Sequence, residues 1–261
     1  MIETTNLSVS LGRREILSSV GMTARPGEVT VIVGPNGSGK TTLMKALSGD
    51  LAYRGRVMFN GISLSSMKPW QMAALRAVLP QATTLAFPFT VHEVVRLGLT
   101  NGRSGALPDA VARLPERALA RVGLENFSGR LYQELSGGEQ QRVQLARVLC
   151  QVWSPVLEGQ ARYLFLDEPV SSLDVKHQLL IMNVARDYAR RGGGVIAVLH
   201  DLNLAAMFAD KIVMMHRGRI AASGTAADVL TEETLATIFD CRLAVGFAET
   251  GVPFVLPQSA A

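Results

Sequence analysis

Four groups of residues in this 261-residue chain have the types and spacing for chemistry on a polyphosphate. Gly34-Pro35-Asn36-Gly37-Ser38-Gly39-Lys40-Thr41 satisfies G-x-x-x-x-G-K-[ST]. Its glycines let successive backbone N–H groups turn inward. Lys40 then reaches the β and γ phosphates as a point charge, and the Thr41 hydroxyl ligates magnesium, with Thr42 beside it at the helix start. Farther on, Asp167-Glu168-Pro169 closes the apolar run Tyr163-Leu164-Phe165-Leu166, as a buried strand delivering carboxylates to its carboxyl end would. Asp167 is suited to hold hydrated magnesium and Glu168 to orient or deprotonate an attacking water. Asp-Glu-Pro is also an ordinary turn signal.

The third group is Leu135-Ser136-Gly137-Gly138-Glu139-Gln140-Gln141-Arg142. A glycine-rich helix start attracts anions through free N–H groups and the helix dipole, so Ser136, Gly137 and Gly138 read as a second half of a nucleotide site. Ser136-x-x-Glu139 is equally a capping box. The two glycines exceed what a cap needs, because glycine inside a helix costs about 1 kcal/mol relative to alanine. The last group is dispersed along the chain. Gln81, after Ala77-Val78-Leu79-Pro80, can meet a metal-bound water and still move. Asp174, in Ser171-Ser172-Leu173-Asp174, is set to contact a neighbouring subunit or to cap the helix that follows. His200, closing the apolar run from Gly194 to Leu199, can hydrogen-bond a γ phosphate or the water.

The elements that must position these groups follow from periodicity. Val29–Val33 is a short β-branched run directly before the glycine loop, and Thr41–Leu47 begins a helix directly after it. Val143, Ala146 and Cys150 recur at helical spacing, so the helix after Ser136 is amphipathic. Residues 1–86 are β-rich and carry the phosphate loop. Residues 87–158 are mostly helical, with a helical run from Pro108 to Val122 and a surface loop at Asn101-Gly102-Arg103-Ser104-Gly105. Residues 159–240 return to alternating strand and helix, and 241–261 form a tail. This predicts a sheet core from 1–86 and 159–240, and a helical arm, 87–158, bearing the glycine-rich start on its last helix.

Taken along the chain as the phosphate loop, Gln81, the signature from Leu135 to Arg142, Asp167-Glu168, the Asp174 loop and His200, the motifs resemble the nucleotide-binding subunits of ATP-binding-cassette transporters over nearly the whole chain. The resemblance implies an α/β fold of the P-loop NTPase, ABC ATPase type: a RecA-like mixed sheet core with an N-terminal antiparallel β part and an inserted helical subdomain. It implies ATP and Mg²⁺ as ligands. It also implies a head-to-tail homodimer in which Ser136, Gly137 and Gly138 of one chain contact the γ phosphate held by the phosphate loop of the other. By matching positions, Glu168 is the catalytic carboxylate, with His200 and Gln81 also in catalytic roles. Thr41, Gln81 and Asp167 face the metal, Glu139 and Asp174 join the nucleotide set, and Gln81 links the metal to the membrane partner. One position departs from the pattern. The aromatic that stacks on the base should fall near Ser10-Leu11-Gly12, and it is Leu11 here, leaving base stacking to Arg13 or Arg14.

Within that family, Leu79-Pro80-Gln81 and Thr90-Val91-His92-Glu93-Val94-Val95 resemble importers of iron chelates, cobalamin and heme. The long connection from Gln151 to Arg162 and the ending from Gly251 to Gln258 are similar to those of hemin-import ATPases. The resemblance therefore implies heme uptake across a bacterial inner membrane, with ferric-siderophore or cobalamin uptake as the alternative. The implied partners are transmembrane permease subunits and, through them, a periplasmic heme-binding protein. The chain is implied to sit peripherally on the cytoplasmic face.

Composition bounds these readings. A hydrophobic fraction of 48% supports a sizeable interior. No apolar run approaches the roughly 20 residues needed to cross a bilayer, and Met1-Ile2-Glu3-Thr4-Thr5 opens without a basic segment leading into an apolar one, so a cytosolic chain is expected. The two cysteines, Cys150 and Cys241, suit a reducing compartment. The net charge of +4 comes from scattered basic residues, neither massed in a block nor interleaved with aromatics, which argues against nucleic acid and fits an anionic inner leaflet. A cassette protein acting on DNA or ribosomes would carry paired cassettes or a long coiled coil, and neither is present. A binding-only module is disfavoured by Lys40, Asp167, Glu168 and His200 together. His92, His177 and His216 fall in no recognisable ligand pair and neither cysteine precedes a proline, so no direct heme binding is expected. A mean hydropathy of +0.22 points to surface covered by partners.

Overall fold

A computed structural model describes residues 1–81, 85, 87–100 and 103–256; Asn101 and Gly102 of the expected surface loop, and the Pro257-Gln258 end of the tail, lie outside the described residues. The chain divides into two compact units, Met1–Ser66 with Ile196–Ala261, and Met67–Val195.

The first unit opens with the ten-residue strand Ile2–Leu11, which buries Ile2, Leu7 and Val9. It pairs antiparallel with Arg14–Val20 on one side and Arg54–Phe59 on the other. Val29–Val33 belongs to a different sheet and is buried at all five positions. A β-branched run with no in-out alternation, in which even Thr30 is buried, suits a strand covered on both faces. It runs parallel to Lys211–His216, which turns back antiparallel into Arg219–Gly224. The helix Lys40–Leu47 follows the glycine loop and buries Leu43, Met44, Ala46 and Leu47. The strand Gly194–Val198 continues into Leu199, whose N–H donates to the Ile32 carbonyl at 3.2 Å, two residues before the loop begins.

Part of what the sequence shows only as a tail is folded. Ala244–Phe247 and Pro253–Leu256 form an antiparallel pair. Asn203 fastens it: Nδ2 donates to the Val255 carbonyl at 3.1 Å and Oδ1 accepts from the Val255 N–H at 2.7 Å. One side-chain amide thus satisfies both backbone groups of that residue, as a neighbouring strand would.

The second unit contains the parallel pair Arg76–Leu79 and Tyr163–Asp167, with Leu79 opposite Leu166. Its main helices are Val91–Arg96, Leu114–Arg121, Gly137–Gln151 and Val175–Arg190. The single helical run expected from Pro108 to Val122 is instead two helices, Pro108–Val111 and Leu114–Arg121. Pro115 has no N–H to continue the first helix and its fixed φ suits a first turn, so it opens the second. Val143, Ala146 and Cys150 are completely buried, as their spacing requires. After Gln151 the chain makes a small hairpin, Val156–Leu157 against Gln160–Ala161. Among the described residues no helix is long and apolar enough to cross a membrane.

Candidate functional site

In the first unit, the glycines of the phosphate loop serve different ends. Gly34 has φ of 148°, and a Cβ there would stand 2.2 Å from the Met215 carbonyl oxygen; Gly39, at φ 102°, would meet Leu17 Cδ2 at 2.8 Å. Both are required because neighbouring strands press on the loop. Gly37 has nothing within 4 Å of where a Cβ would go, so the loop tip faces open space. The Ser38 N–H donates to the Pro35 carbonyl at 3.2 Å, closing the turn. Gly218 braces it from behind: its N–H donates to the Ser38 carbonyl and its own carbonyl accepts from the Ser18 N–H, both at 3.0 Å.

Lys40 is curled into the loop, with Nζ donating to the Gly34 carbonyl at 2.9 Å and the Pro35 carbonyl at 3.1 Å. Ser38 Oγ is buried with no hydrogen-bond partner among the described residues. Asn36 is exposed, Pro35 half-buried, and Thr41 and Thr42 half-buried at the helix start. Leu11 is exposed directly opposite Arg14 at the end of its hairpin, and Arg13 is exposed between them. His200 is exposed immediately before Asp201, whose carboxylate accepts from the Asn203 and Leu204 N–H groups at 2.8 and 3.0 Å and so anchors the next helix start.

In the second unit, Asp167 ends its strand buried, and Glu168 breaks the strand. Glu168 has φ of 53°, in the left-handed region that costs a non-glycine residue about 1–3 kcal/mol. Its carbonyl gathers Gln141 Nε2 at 2.8 Å, Ser171 Oγ at 3.3 Å and the Ser171 N–H at 3.4 Å, which hold the turn. Its carboxylate Oε2 accepts from Gln81 Nε2 at 2.9 Å. The strand register explains the meeting: Leu79 lies opposite Leu166, and Gln81 and Glu168 each come two residues later.

Ser136 caps the helix Gly137–Gln151 with a complete box. The Glu139 N–H donates to Ser136 Oγ at 3.3 Å, while the Ser136 N–H and hydroxyl both donate to Glu139 Oε2 at 2.8 Å. The hydroxyl and the amide of Ser136 hold the Glu139 carboxyl below the usual glutamate range. The folded value is depressed, so this contribution to stability is present above the ordinary glutamate range and is lost as pH falls through the lowered value. Gly138 has a reason inside its own chain, since a Cβ there would stand 2.9 Å from Leu173 Cδ2 and 3.3 Å from the Ser172 carbonyl oxygen. Gly137 has none: nothing lies within 4 Å of its missing Cβ. Asp174 caps the next helix, its Oδ1 accepting from the His177 N–H at 2.9 Å and lying 2.8 Å from His177 Nδ1. Those contacts, the backbone one foremost, hold the Asp174 carboxyl low.

A phosphate loop, then a capped Ser-Gly-Gly helix start, then a strand-end Asp-Glu turn follow one another along the chain in a known pattern. Residues 17–171, more than half of the chain, match the sequence profile of the ABC transporter family. The chain belongs to the ABC transporter family. Over 99% of its length and 99% of the relative's, this ABC cassette is 68% identical to "Hemin import ATP-binding protein HmuV" of Mesorhizobium japonicum. It is 59% identical to the protein of the same description from Chelativorans sp., over 100% of this chain and 99% of that one. Among solved structures it resembles an ATP-binding subunit of an ABC transporter, with a TM-score of 0.77 at 25% identity over 88% of this chain and 91% of that one. It also resembles CbiO1 of Clostridium perfringens, described as part of the ABC transporter complex CbiONQ, with a TM-score of 0.74 at 26% identity over 90% and 92%. The ABC ATPase fold expected from the sequence is the one observed.

One residue of this ABC cassette escaped the sequence reading. Gln141 was visible only as a second glutamine in the motif, with no role. In the structure its Nε2 donates to the Glu168 carbonyl and its Oε1 accepts from Ser172 Oγ at 2.8 Å. It ties the glycine-rich helix to both the Glu168 turn and the loop before Asp174. A polar residue on a helix whose other face is buried was the only trace of this in the sequence.

Proposed function

We propose that the chain is the ATP-hydrolysing subunit of a bacterial ABC importer that takes up heme. The transport reading is carried by its full-length likeness to hemin import ATP-binding proteins, at 68% identity. ATP binding follows from membership of the ABC family, and the residues present fit it. The loop is open at Gly37, Lys40 sits inside its curve, and the buried Ser38 hydroxyl lacks, among the described residues, a partner that a phosphate oxygen would supply. The Thr41 hydroxyl, the Asp167 carboxylate and the Gln81 amide each offer the hard oxygen donor that Mg²⁺ prefers. Such a metal would supply neutralisation of the charge that develops on the phosphate oxygens.

The chain's own residues divide the remaining work. Lys40 exchanges the Gly34 and Pro35 carbonyls for phosphate oxygens. Glu168 takes the proton of the attacking water at its carboxylate, and the left-handed turn keeps that carboxylate off the strand axis. His200 donates to the γ phosphate, and Gln81 reports the state of the site toward the permease. Ser136, Gly137 and Gly138, with Glu139 and Asp174 behind them, serve the nucleotide of a second copy arranged head to tail. In this reading 1–86 with 159–240 form the nucleotide-binding core, 87–158 the signature-bearing helical subdomain and 241–261 the tail. The subunit sits at the cytoplasmic face of the inner membrane on its permease, which meets the periplasmic heme-binding protein on the other side.

Gly137 separates a structural from a binding role for the signature helix. Alanine there meets nothing in its own chain, so Gly137→Ala is expected to melt with the parent. A methyl group pointed at the partner's nucleotide is expected to cut ATP turnover about tenfold or more, as loss of one aligned oxyanion contact does. Melting curves and phosphate release check the pair; parent turnover would remove Gly137 from the site.

The substrate is tested by reconstituting the subunit with its permease in vesicles and adding loaded binding protein. Heme-loaded binding protein is expected to raise ATP turnover and a ferric-siderophore complex to leave it unchanged. The opposite pattern would transfer the assignment to siderophore uptake.

A further inference from the structure

Arg162 lies directly before the strand Tyr163–Asp167 and is 0% exposed. A guanidinium has five N–H donors, and five backbone carbonyls take them here. Ala74 accepts from Nε at 2.7 Å, Ser104 and Ser154 from Nη1 at 2.9 and 3.3 Å, and Arg103 and Gln151 from Nη2, the latter at 3.2 Å. Every donor is spent on backbone, and among the described residues no ion pair joins it to a carboxylate. A buried charge without a counter-charge is costly, and an apolar side chain would fill the volume more cheaply. Burial accordingly pushes the guanidinium below its ordinary value, and it stays charged all the same.

What this arginine does that a leucine would not is hold several chain segments at once. Gln151 is the last residue of the glycine-rich helix, and Ala74 lies in the last turn of the helix Pro69–Leu75. A cation at helix carboxyl ends is favoured by their dipoles. Gln151 adds its own side chain, with Nε2 donating to the Ala73 and Arg76 carbonyls at 2.9 Å each. Trp153, next along the connection, lies under the guanidinium groups of Arg121 at 4.5 Å and Arg117 at 5.0 Å.

The segments joined here are those whose opposite ends carry the site. The strand Arg76–Leu79 leads to Gln81, the strand Tyr163–Asp167 leads to Glu168, and the helix Gly137–Gln151 starts at Ser136. From Arg162 to Glu168 is about 20 Å of strand. At the near end the bond from Gln141 to the Glu168 carbonyl already ties helix to turn. Fixed at both ends, the helix cannot slide along the strand.

We propose that Arg162 is a positioning residue for ATP hydrolysis, setting the axial register of the signature helix against the two strands that deliver Gln81 and Glu168. The long connection from Gln151 to Arg162 then has a mechanical role, as the segment folded around that guanidinium. The proposal rests on the ATPase reading, and parent turnover in the same assay reports on that reading separately.

Arg162→Lys keeps the charge but offers three donors from one point in place of a planar five-donor fork. In the importer reassembled with its permease, below the melting transition, it is expected to lower kcat about tenfold, as a displacement of under an ångström at the reacting groups does. KM for ATP should stay at the parent value, since the phosphate loop belongs to the other unit. Gln151→Leu removes the bonds to Ala73 and Arg76 without touching the charge, and should shift kcat in the same sense with KM unchanged. A variant that melts earlier yet turns over at the parent kcat overturns the proposal, and so does a loss confined to KM. If Arg162→Lys does not fold, Gln151→Leu decides by the same two outcomes. A parent without ATP turnover would overturn the functional reading, and the proposal with it.

Discussion

Glu168→Gln is expected to lower ATP turnover by about 10²–10⁴-fold while nucleotide binding stays at the parent level, the span typical of losing a general base. The substitution is nearly isosteric, and what holds the left-handed turn is untouched, because Gln141 and Ser171 bond the backbone carbonyl of residue 168 and not its side chain. The amide oxygen can still accept from Gln81, as Oε2 does now. What disappears is a group able to take the proton of water. Phosphate release at saturating ATP, set beside titration with a fluorescent ATP analogue, reads the two effects separately. With hydrolysis blocked and binding intact, ATP should also hold two copies together on a sizing column. Hydrolysis at the parent rate would show that another group is the base.

Lys40→Ala is expected to act on binding first. A charge-assisted contact to phosphate, once truncated, costs about 2–5 kcal/mol, a loss of roughly thirtyfold or more in ATP affinity. The side chain is 6% exposed and its ammonium already lies within the curve of the loop, so no reorganisation of the backbone is needed for it to meet a phosphate. The same fluorescent titration measures the effect. Parent affinity in Lys40→Ala would place the phosphates away from this loop. The two substitutions therefore separate: one stops chemistry with binding intact, and the other stops binding itself.

The parts of the site that were legible in the sequence are those whose determinants are local. Val29–Val33 and the loop after it read correctly because five β-branched residues, four of them apolar, and a fixed glycine spacing act within a dozen positions. Tyr163–Asp167 was legible for the same reason. Of the two readings at Ser136, the capping box is present and complete, and Gly137 beside it faces open space. Asp174 likewise caps its helix.

What stayed hidden depends on distant partners. The strand pair Ala244–Phe247 and Pro253–Leu256 is anchored by Asn203, 52 residues from Val255. Gln141 acts on a carbonyl 27 residues away. The Asp-Glu-Pro signal announced a turn at Glu168 without announcing a positive φ, since that conformation is imposed by the donors gathered on the carbonyl. The run expected over 108–122 is two helices in the structure, because Pro115 has no N–H with which to continue the first.

The account stands on the claim that one chain supplies only part of each working nucleotide pocket, its phosphate loop, while the signature helix start comes from a second copy. The direct measurement is ATP turnover per chain as protein concentration is carried through the range where two copies associate. The account predicts that turnover per chain rises with concentration and levels off as association saturates, and that Gly137→Ala flattens the rise. Turnover per chain that is the same at every concentration, from isolated single copies onward, would contradict it.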